Sequence, residues 1–225
     1  MDRTEWLREK RRRSEERIDI LFAPIYDDKW GGYINPSHAA MLDDFLACCP
    51  PGGQILDAAC GTGKYWPPIL TSGRQVTGCD QSQQMLARAH AKFPAVPVIK
   101  LGLQELDYDE AFDGITCIDA MEMICPEDWP RVLANFARAL RPGALLYFTV
   151  ELAAPEEMAA AFAAGQEQGL PVVQGEWAHE GGYHYYPDLD QVRTWTAEAG
   201  FTSLKETEGD GYAHFLIRRP YPVPL

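Results

Sequence analysis

The amino-acid sequence predicts an α/β fold, a mostly parallel sheet with helices on both faces. Apolar strand-like runs and amphipathic stretches alternate from residue 53 to 150, and such alternation needs crossover helices that cover a parallel sheet on each side. Residues 55–63, Ile-Leu-Asp-Ala-Ala-Cys-Gly-Thr-Gly, read as a short buried strand, an acid and a glycine-rich turn, with a helix beginning near Lys64. Between 127 and 140, Trp129, Leu133, Phe136 and Leu140 recur on one helical face.

The elements follow in order. Thr4 to about Phe22 is a helix whose apolar residues, Leu7, Ile18, Leu21 and Phe22, are sparse and then dense, and Pro24 ends it. Asn35 caps a second helix with Pro36 at its first position. Pro50-Pro51-Gly52-Gly53 breaks the chain before the first strand. Strands are expected at 53–58, 74–79, 96–100, 112–118 and 143–150, and helices near 64–71, 82–92 and 127–140. A helix at 188–199 leads to strands near 201–208 and 211–219. The closeness of these two strands predicts a hairpin, and so one antiparallel strand. Residues 152–187 leave the alternation, with an Ala-rich helix at 155–164 and then glycines among aromatics. The chain reads as one domain over 1–225, with a helical cover at 1–49 and a substrate-covering insertion at 152–187. Residues 220–225 read as a loose tail.

At 225 residues and 46% hydrophobic, the chain suits one substantial core. No apolar run reaches 18–20 residues, so no transmembrane helix is expected. The first ten residues lack the apolar centre of a signal peptide, which predicts a cytoplasmic protein. The net charge of −13 argues against nucleic acid as a partner. The basic run Arg8 to Arg13 is interleaved with Glu9 and followed by Glu15 and Glu16, as on a solvated helix face. Six cysteines without C-x-x-C spacing read as small buried hydrophobes, and five scattered histidines form no metal motif. Oligomeric state leaves no signal in the sequence.

Gly61 and Gly63 allow backbone angles and a close ligand approach that a side chain blocks. A dinucleotide turn needs G-x-G-x-x-G, and the third position here is Trp66. Asp57 instead sits four residues before Gly61, where an acid repels a pyrophosphate and can bond an ammonium group. Asp80, seventeen residues past Gly63, ends the second strand and can accept both hydroxyl hydrogens of a ribose; dinucleotide enzymes use such an acid too.

The stretch from Asp57 to Gly63 resembles the first motif of the class I S-adenosylmethionine-dependent methyltransferases. Asp80-Gln81-Ser82-Gln83-Gln84-Met85-Leu86 resembles the family's D-x-S-x-x-M-L segment, whose methionine lies near the adenine. Phe112 to Met121 resembles its fourth strand, Leu140-Arg-Pro-Gly143 the lead into its fifth, and Glu198-Ala-Gly200-Phe201 the lead into its sixth. The ordered set covers roughly residues 50 to 219. It implies a Rossmann-like seven-stranded sheet, mostly parallel, with the last strand antiparallel, and S-adenosyl-L-methionine as cofactor. For that cofactor the resemblance implies contacts from Asp57, Ala58, Ala59, Gly61, Thr62 and Gly63 at the first turn. It adds Asp80, Gln81 and Met85 after the second strand, Leu103 and Gln104 after the third, and Asp119 after the fourth. Tyr26 resembles an N-terminal tyrosine that closes over the methionine part; a core aromatic beside Pro24 is the other reading. Many relatives carry an acid after the third strand where this chain has Gly102-Leu103-Gln104-Glu105, leaving backbone groups to meet the adenine.

Methyl transfer from a sulfonium is an in-line displacement that needs positioning, sometimes proton removal, and exclusion of water. Met121 and Glu122 follow the fourth strand, where the family meets its acceptor. His179, Tyr183, His184 and Tyr185 lie in the aromatic insertion, and Trp30 and Tyr33 in the N-terminal cover, as candidate substrate residues. His184 and Glu151 are the candidate proton-transfer groups. Alternation across 182–186 also makes a strand, with His184 and Tyr186 on one side and packing as their role. The leading expectation is methyl transfer to an oxygen, nitrogen or carbon of a small molecule. A protein or peptide acceptor is the alternative, since acidic surface attracts a basic peptide. A nicotinamide-dependent oxidoreductase is a further alternative, disfavoured by Trp66 and Asp57.

Overall fold

The computed structural model describes residues 2–179 and 182–221; the end of the expected tail, 222–225, lies outside them. Seven strands form one sheet: β1 (Gln54–Ala58), β2 (Gln75–Asp80), β3 (Val98–Lys100), β4 (Phe112–Cys117), β5 (Leu140–Glu151), β8 (Thr202–Gly209) and β9 (Tyr212–Arg218). Their order is β3-β2-β1-β4-β5-β9-β8. The first five pair in parallel, while β9 lies antiparallel between β5 and β8. The expected reversal of the last strand is present. β6 (Glu176–His179) and β7 (Gly182–Tyr185) make a separate antiparallel pair inside the insertion.

Period-2 alternation splits the strand side chains between two cores. Leu56, Leu146 and Phe148 face a core completed by Trp129, Val132, Leu133 and Phe136 of α5 (Trp129–Ala139). Ile55, Leu145 and Tyr147 face the other, with Met41, Leu42 and Phe45 of α2 (Pro36–Cys48) and Trp66 and Ile69 of α3 (Trp66–Thr71). Close packing decides two glycines in this second layer. A Cβ at Gly78 of β2 would lie 2.5 Å from the Trp66 ring, and one at Gly114 of β4 would lie 2.6 Å from Phe45.

The N-terminal segment departs from expectation. The regular helix α1 (Arg3–Arg17) stops before Ile18, but the chain keeps winding. A wide π turn at Ile18–Phe22, a tight 3-10 turn at Ala23–Ile25 and a second π turn at Asp27–Gly31 follow. Pro24 does not end the winding, because it sits in the first turn of the 3-10 segment, where its missing N–H costs no internal bond. Asn35 holds the cap position of α2 without a side-chain capping bond. The Asp210 carboxylate, from the turn joining β8 and β9, accepts from Ser37 N at 2.9 Å instead. The cap is supplied across the fold.

Ion pairs and hydrogen bonds strap this segment across the carboxyl edge of the sheet. Arg3 donates to Glu176 at 2.8 Å and 3.0 Å, to the Pro171 carbonyl at 2.5 Å, and to Glu127. Arg11 pairs with Glu105 at 2.5 Å, and Lys100 with Glu15 at 2.7 Å. Further along, Asp19 accepts from Ser82, the capping residue of α4 (Gln83–Lys92), and Lys92 pairs with Asp27 at 2.6 Å. In the insertion, α6 (Pro155–Glu167) precedes the β6–β7 pair, and α7 (Leu189–Glu198) returns the chain to the sheet. No helix of the described residues is long and apolar enough to cross a membrane.

Candidate functional site

The strap, the insertion and the carboxyl ends of β1, β2 and β4 enclose a cavity of about 340 Å³, a volume in the range of small-molecule sites. It lies where strand order reverses between β1 and β4, the place at which sheets of this kind hold ligands.

The turn after β1 supplies its floor. Ala59, Gly61 and Gly63 all take left-handed backbone, with φ of 59°, 53° and 76°. A Cβ built on Gly61 meets nothing within 4 Å, and the residue borders the cavity. A Cβ on Gly63 would lie 2.7 Å from the Trp66 ring, so this glycine serves packing. Trp66, which breaks the dinucleotide pattern, donates its indole N–H to Asp57 Oδ2 at 2.8 Å. The Thr116 hydroxyl of β4 donates to Oδ1 at 2.6 Å. The Asp57 carboxyl borders the cavity with a donor on each oxygen. Burial pushes its pKa up to about 6 against those two bonds, and the neighbouring Asp80 charge adds to the rise.

Asp80, the last residue of β2, accepts from Gly61 N at 2.9 Å and Ser82 N at 2.7 Å. Burial raises its pKa to about 6 as well, and the two amide bonds oppose it. Asp119, just past β4, has φ of 62° and donates its amide to Thr149 Oγ1 at 2.8 Å. Burial raises its carboxyl pKa; the Tyr212 hydroxyl, which donates to it, and Lys64 pull the other way, while Glu151 adds to the rise. Burial and the Asp119 charge hold the Glu122 carboxyl well above the usual carboxylate range.

The opposite wall comes from the strap and from β7. Tyr26 borders the cavity, and burial with the charges of Asp119 and Asp80 raises its phenol pKa. On β7, His184 borders the cavity, with Nδ1 3.0 Å from the Tyr186 hydroxyl and 3.5 Å from Glu151 Oε2. Tyr183 borders it too, and donates to the buried Glu176 at 2.6 Å.

Ten of the thirteen residues expected around the cofactor border the cavity: Tyr26, Asp57, Ala59, Gly61, Asp80, Gln81, Met85, Leu103, Gln104 and Asp119. Ala58, Thr62 and Gly63 do not. Ala58 is fully buried in the sheet, and the Thr62 hydroxyl donates to Asp27 Oδ1 at 2.6 Å, tying turn to strap. Of the substrate candidates, Glu122, Tyr183 and His184 border the cavity. Met121 and Tyr185 lie in the core rather than on the cavity wall. Trp30 and Tyr33 lie outside: Trp30 stacks on Phe22 at 6.0 Å, and Tyr33 is 62% exposed. Glu151 stands behind His184 rather than on the wall. His179 ends β6, and its side chain lies outside what is described.

Several wall residues escaped the sequence reading. Lys64 and Tyr65 follow the glycine turn directly, and Met123 and Ile124 follow Glu122. Ser14, Ile18 and Phe22 line the strap side; their four-residue spacing, with a buried serine in a charged helix, was the available signal. Asn135 donates from α5 to the carbonyls of Leu103 and Gln104 at 3.0 Å and 3.1 Å, fixing the loop after β3. A polar residue between Leu133 and Phe136 marked it.

Residues 55–143, from β1 into β5, match a family described as methyltransferase domain. Residues 55–143 thus form a methyltransferase domain of the class I S-adenosylmethionine-dependent type. Over 96 residues the methyltransferase domain is 35% identical to a dTDP-4-amino-2,3,4,6-tetradeoxy-D-glucose N,N-dimethyltransferase of Saccharopolyspora spinosa, covering 42% of this chain and 39% of that one. It is 32% identical over 134 residues to a ubiquinone biosynthesis O-methyltransferase of Hahella chejuensis, covering 57% and 52%. The chain thus spans about half the length, or less, of the curated relatives it matches. The 1,6-didemethyltoxoflavin-N1-methyltransferase structure of Burkholderia thailandensis superposes with a TM-score of 0.70 at 17% identity, covering 98% of this chain and 91% of that one. That likeness shows the methyltransferase fold.

S-adenosylmethionine carries a sulfonium, an ammonium, a ribose and an adenine. The residues present fit such a group: Asp57 lies near the end of β1, Asp80 ends β2, Asp119 follows β4, and the Gly61 face is open.

Proposed function

We propose that this methyltransferase domain transfers a methyl group from S-adenosylmethionine to a nucleophilic oxygen, nitrogen or carbon of a small molecule. The observation that carries the reading is the convergence of Asp57, Asp80 and Asp119 on one cavity beside the open Gly61 face. The names of the relatives support a small acceptor and differ in the atom methylated. When bound, the cofactor supplies an electrophilic methyl on a positively charged sulfur.

In this reading Asp80 accepts the ribose hydroxyls with lone pairs that its two amide donors leave over. Met85 and the Asn135-fixed backbone at Leu103 and Gln104 hold the adenine. Asp57, oriented by Trp66 and Thr116, meets the methionine ammonium directly or through water. Tyr26 closes the strap side over the reacting centre and excludes water. His184, steered by Tyr186 and Glu151, stands at the acceptor end and takes a proton where the nucleophile must lose one.

Calorimetry tests the reading. Micromolar binding of S-adenosylmethionine and S-adenosylhomocysteine is expected, with none of NADH. Gly61→Arg should lose both ligands while keeping its unfolding midpoint within a few degrees. NADH binding, or normal affinity in Gly61→Arg, would remove the assignment.

A further inference from the structure

Resting on the cofactor reading above, we infer that the acceptor end of the cavity is a subsite for a basic nitrogen, with Glu122 as the group that seats it. The acceptor is then an amine that enters as the ammonium and passes one proton to the Glu122 carboxylate, which frees the nitrogen lone pair that displaces the sulfur from the methyl.

Glu122 borders the cavity from the 3-10 turn Met121–Met123 and is only 8% exposed. Among the described residues, no donor reaches its buried Oε2. A buried carboxyl oxygen without a partner is costly, and native interiors seldom leave one so. The charges acting on it, from Asp119 and Glu151, are both negative. The other cavity acids are provided for. Asp57 has Trp66 and Thr116, Asp80 has two backbone amides, and Asp119 has Tyr212.

Glu122 Oε2 therefore lacks a hydrogen-bond donor among the described residues, and the charges acting on the carboxyl from Asp119 and Glu151 are negative. An ammonium supplies a donor and a positive charge at once, and an alcohol supplies only the donor. Apolar side chains at Met123, Ile124 and Tyr183 border the same cavity and suit a hydrocarbon body behind the nitrogen. Desolvation by such walls strengthens the pairing.

The test is calorimetry of 2-phenylethylamine and of 2-phenylethanol, a pair matched in shape, with the protein saturated by S-adenosylhomocysteine. The amine is expected to bind at least about tenfold more tightly, the scale of one charge-assisted hydrogen bond. Glu122→Gln should erase that preference while still binding S-adenosylhomocysteine. Equal or tighter binding of the alcohol, binding of neither, or an unchanged preference in the variant overturns the inference. Loss of S-adenosylhomocysteine from Glu122→Gln alone would move Glu122 to the cofactor and overturn it as well. Failure of the unsubstituted protein to bind S-adenosylhomocysteine is the separate result that sinks the cofactor reading.

Discussion

Asp57 shows how one side chain joins fold to ligand. Its carboxyl ends the strand that faces the cavity, yet it also satisfies the indole of Trp66 and the hydroxyl of Thr116. Asp57→Ala should therefore cost stability as well as affinity. It strands a buried N–H and a buried O–H, at about 1–3 kcal/mol each. Asp57→Asn keeps one acceptor oxygen and removes the charge, so it should unfold near the wild-type urea midpoint while binding S-adenosylmethionine at least about tenfold more weakly. Equal affinity in Asp57→Asn would show that the charge serves packing alone. The acid's position was legible from its spacing to Gly61. Its partnership with Trp66 was not, because a carboxylate nine residues from an indole meets it only after the turn has folded back.

At the scale of elements, the strap and the insertion depend on one another. Arg3 of α1 reaches Glu176 of β6 and the Pro171 carbonyl, and Glu176 in turn holds Tyr183 of β7 and accepts from Val173 N at 2.7 Å. Trp6 packs edge-on against Tyr183 at 5.9 Å. Glu176 is fully buried, so Arg3→Ala leaves a buried carboxylate short of its cation. A loss of about 3 kcal/mol is expected in urea unfolding, the low end for a broken buried pair because Arg3 is itself partly exposed. Amide exchange over 182–185 should quicken in the same variant. Unaltered exchange would show that the hairpin holds without α1. The helix at 127–140 was readable from periodicity, and the sheet strands from apolar runs that alternate with helical stretches. The π turns beyond Arg17 were not, since wide turns leave no period and their stability comes from contacts with the β2–α4 corner.

Across the whole molecule, buried acids set the response to pH. Asp57 and Asp80 titrate near 6 in the fold against an ordinary 3.8. Between those values the native state holds protons that the unfolded chain has released, so their contribution to stability shrinks as pH rises through that window. A cation prefers the ionised forms. S-adenosylmethionine affinity should therefore climb from pH 5 to pH 7 and level off above, by up to about tenfold for each carboxyl. Calorimetry at pH 5, 6, 7 and 8 measures this, and a flat profile would disconnect the two acids from the ligand. The succession of strands and helices, the closing hairpin, the glycine turn and the acids near the strand ends were written in local pattern and spacing, since these depend on neighbours a few residues apart. Which side of each turn meets the cavity was settled by folding, as Met121 against Glu122 and Tyr185 against His184 show. So was the pairing of Trp66 with Asp57 and the isolation of Glu122. Those outcomes depend on which distant surfaces exclude water together, and no short stretch of chain carries that information.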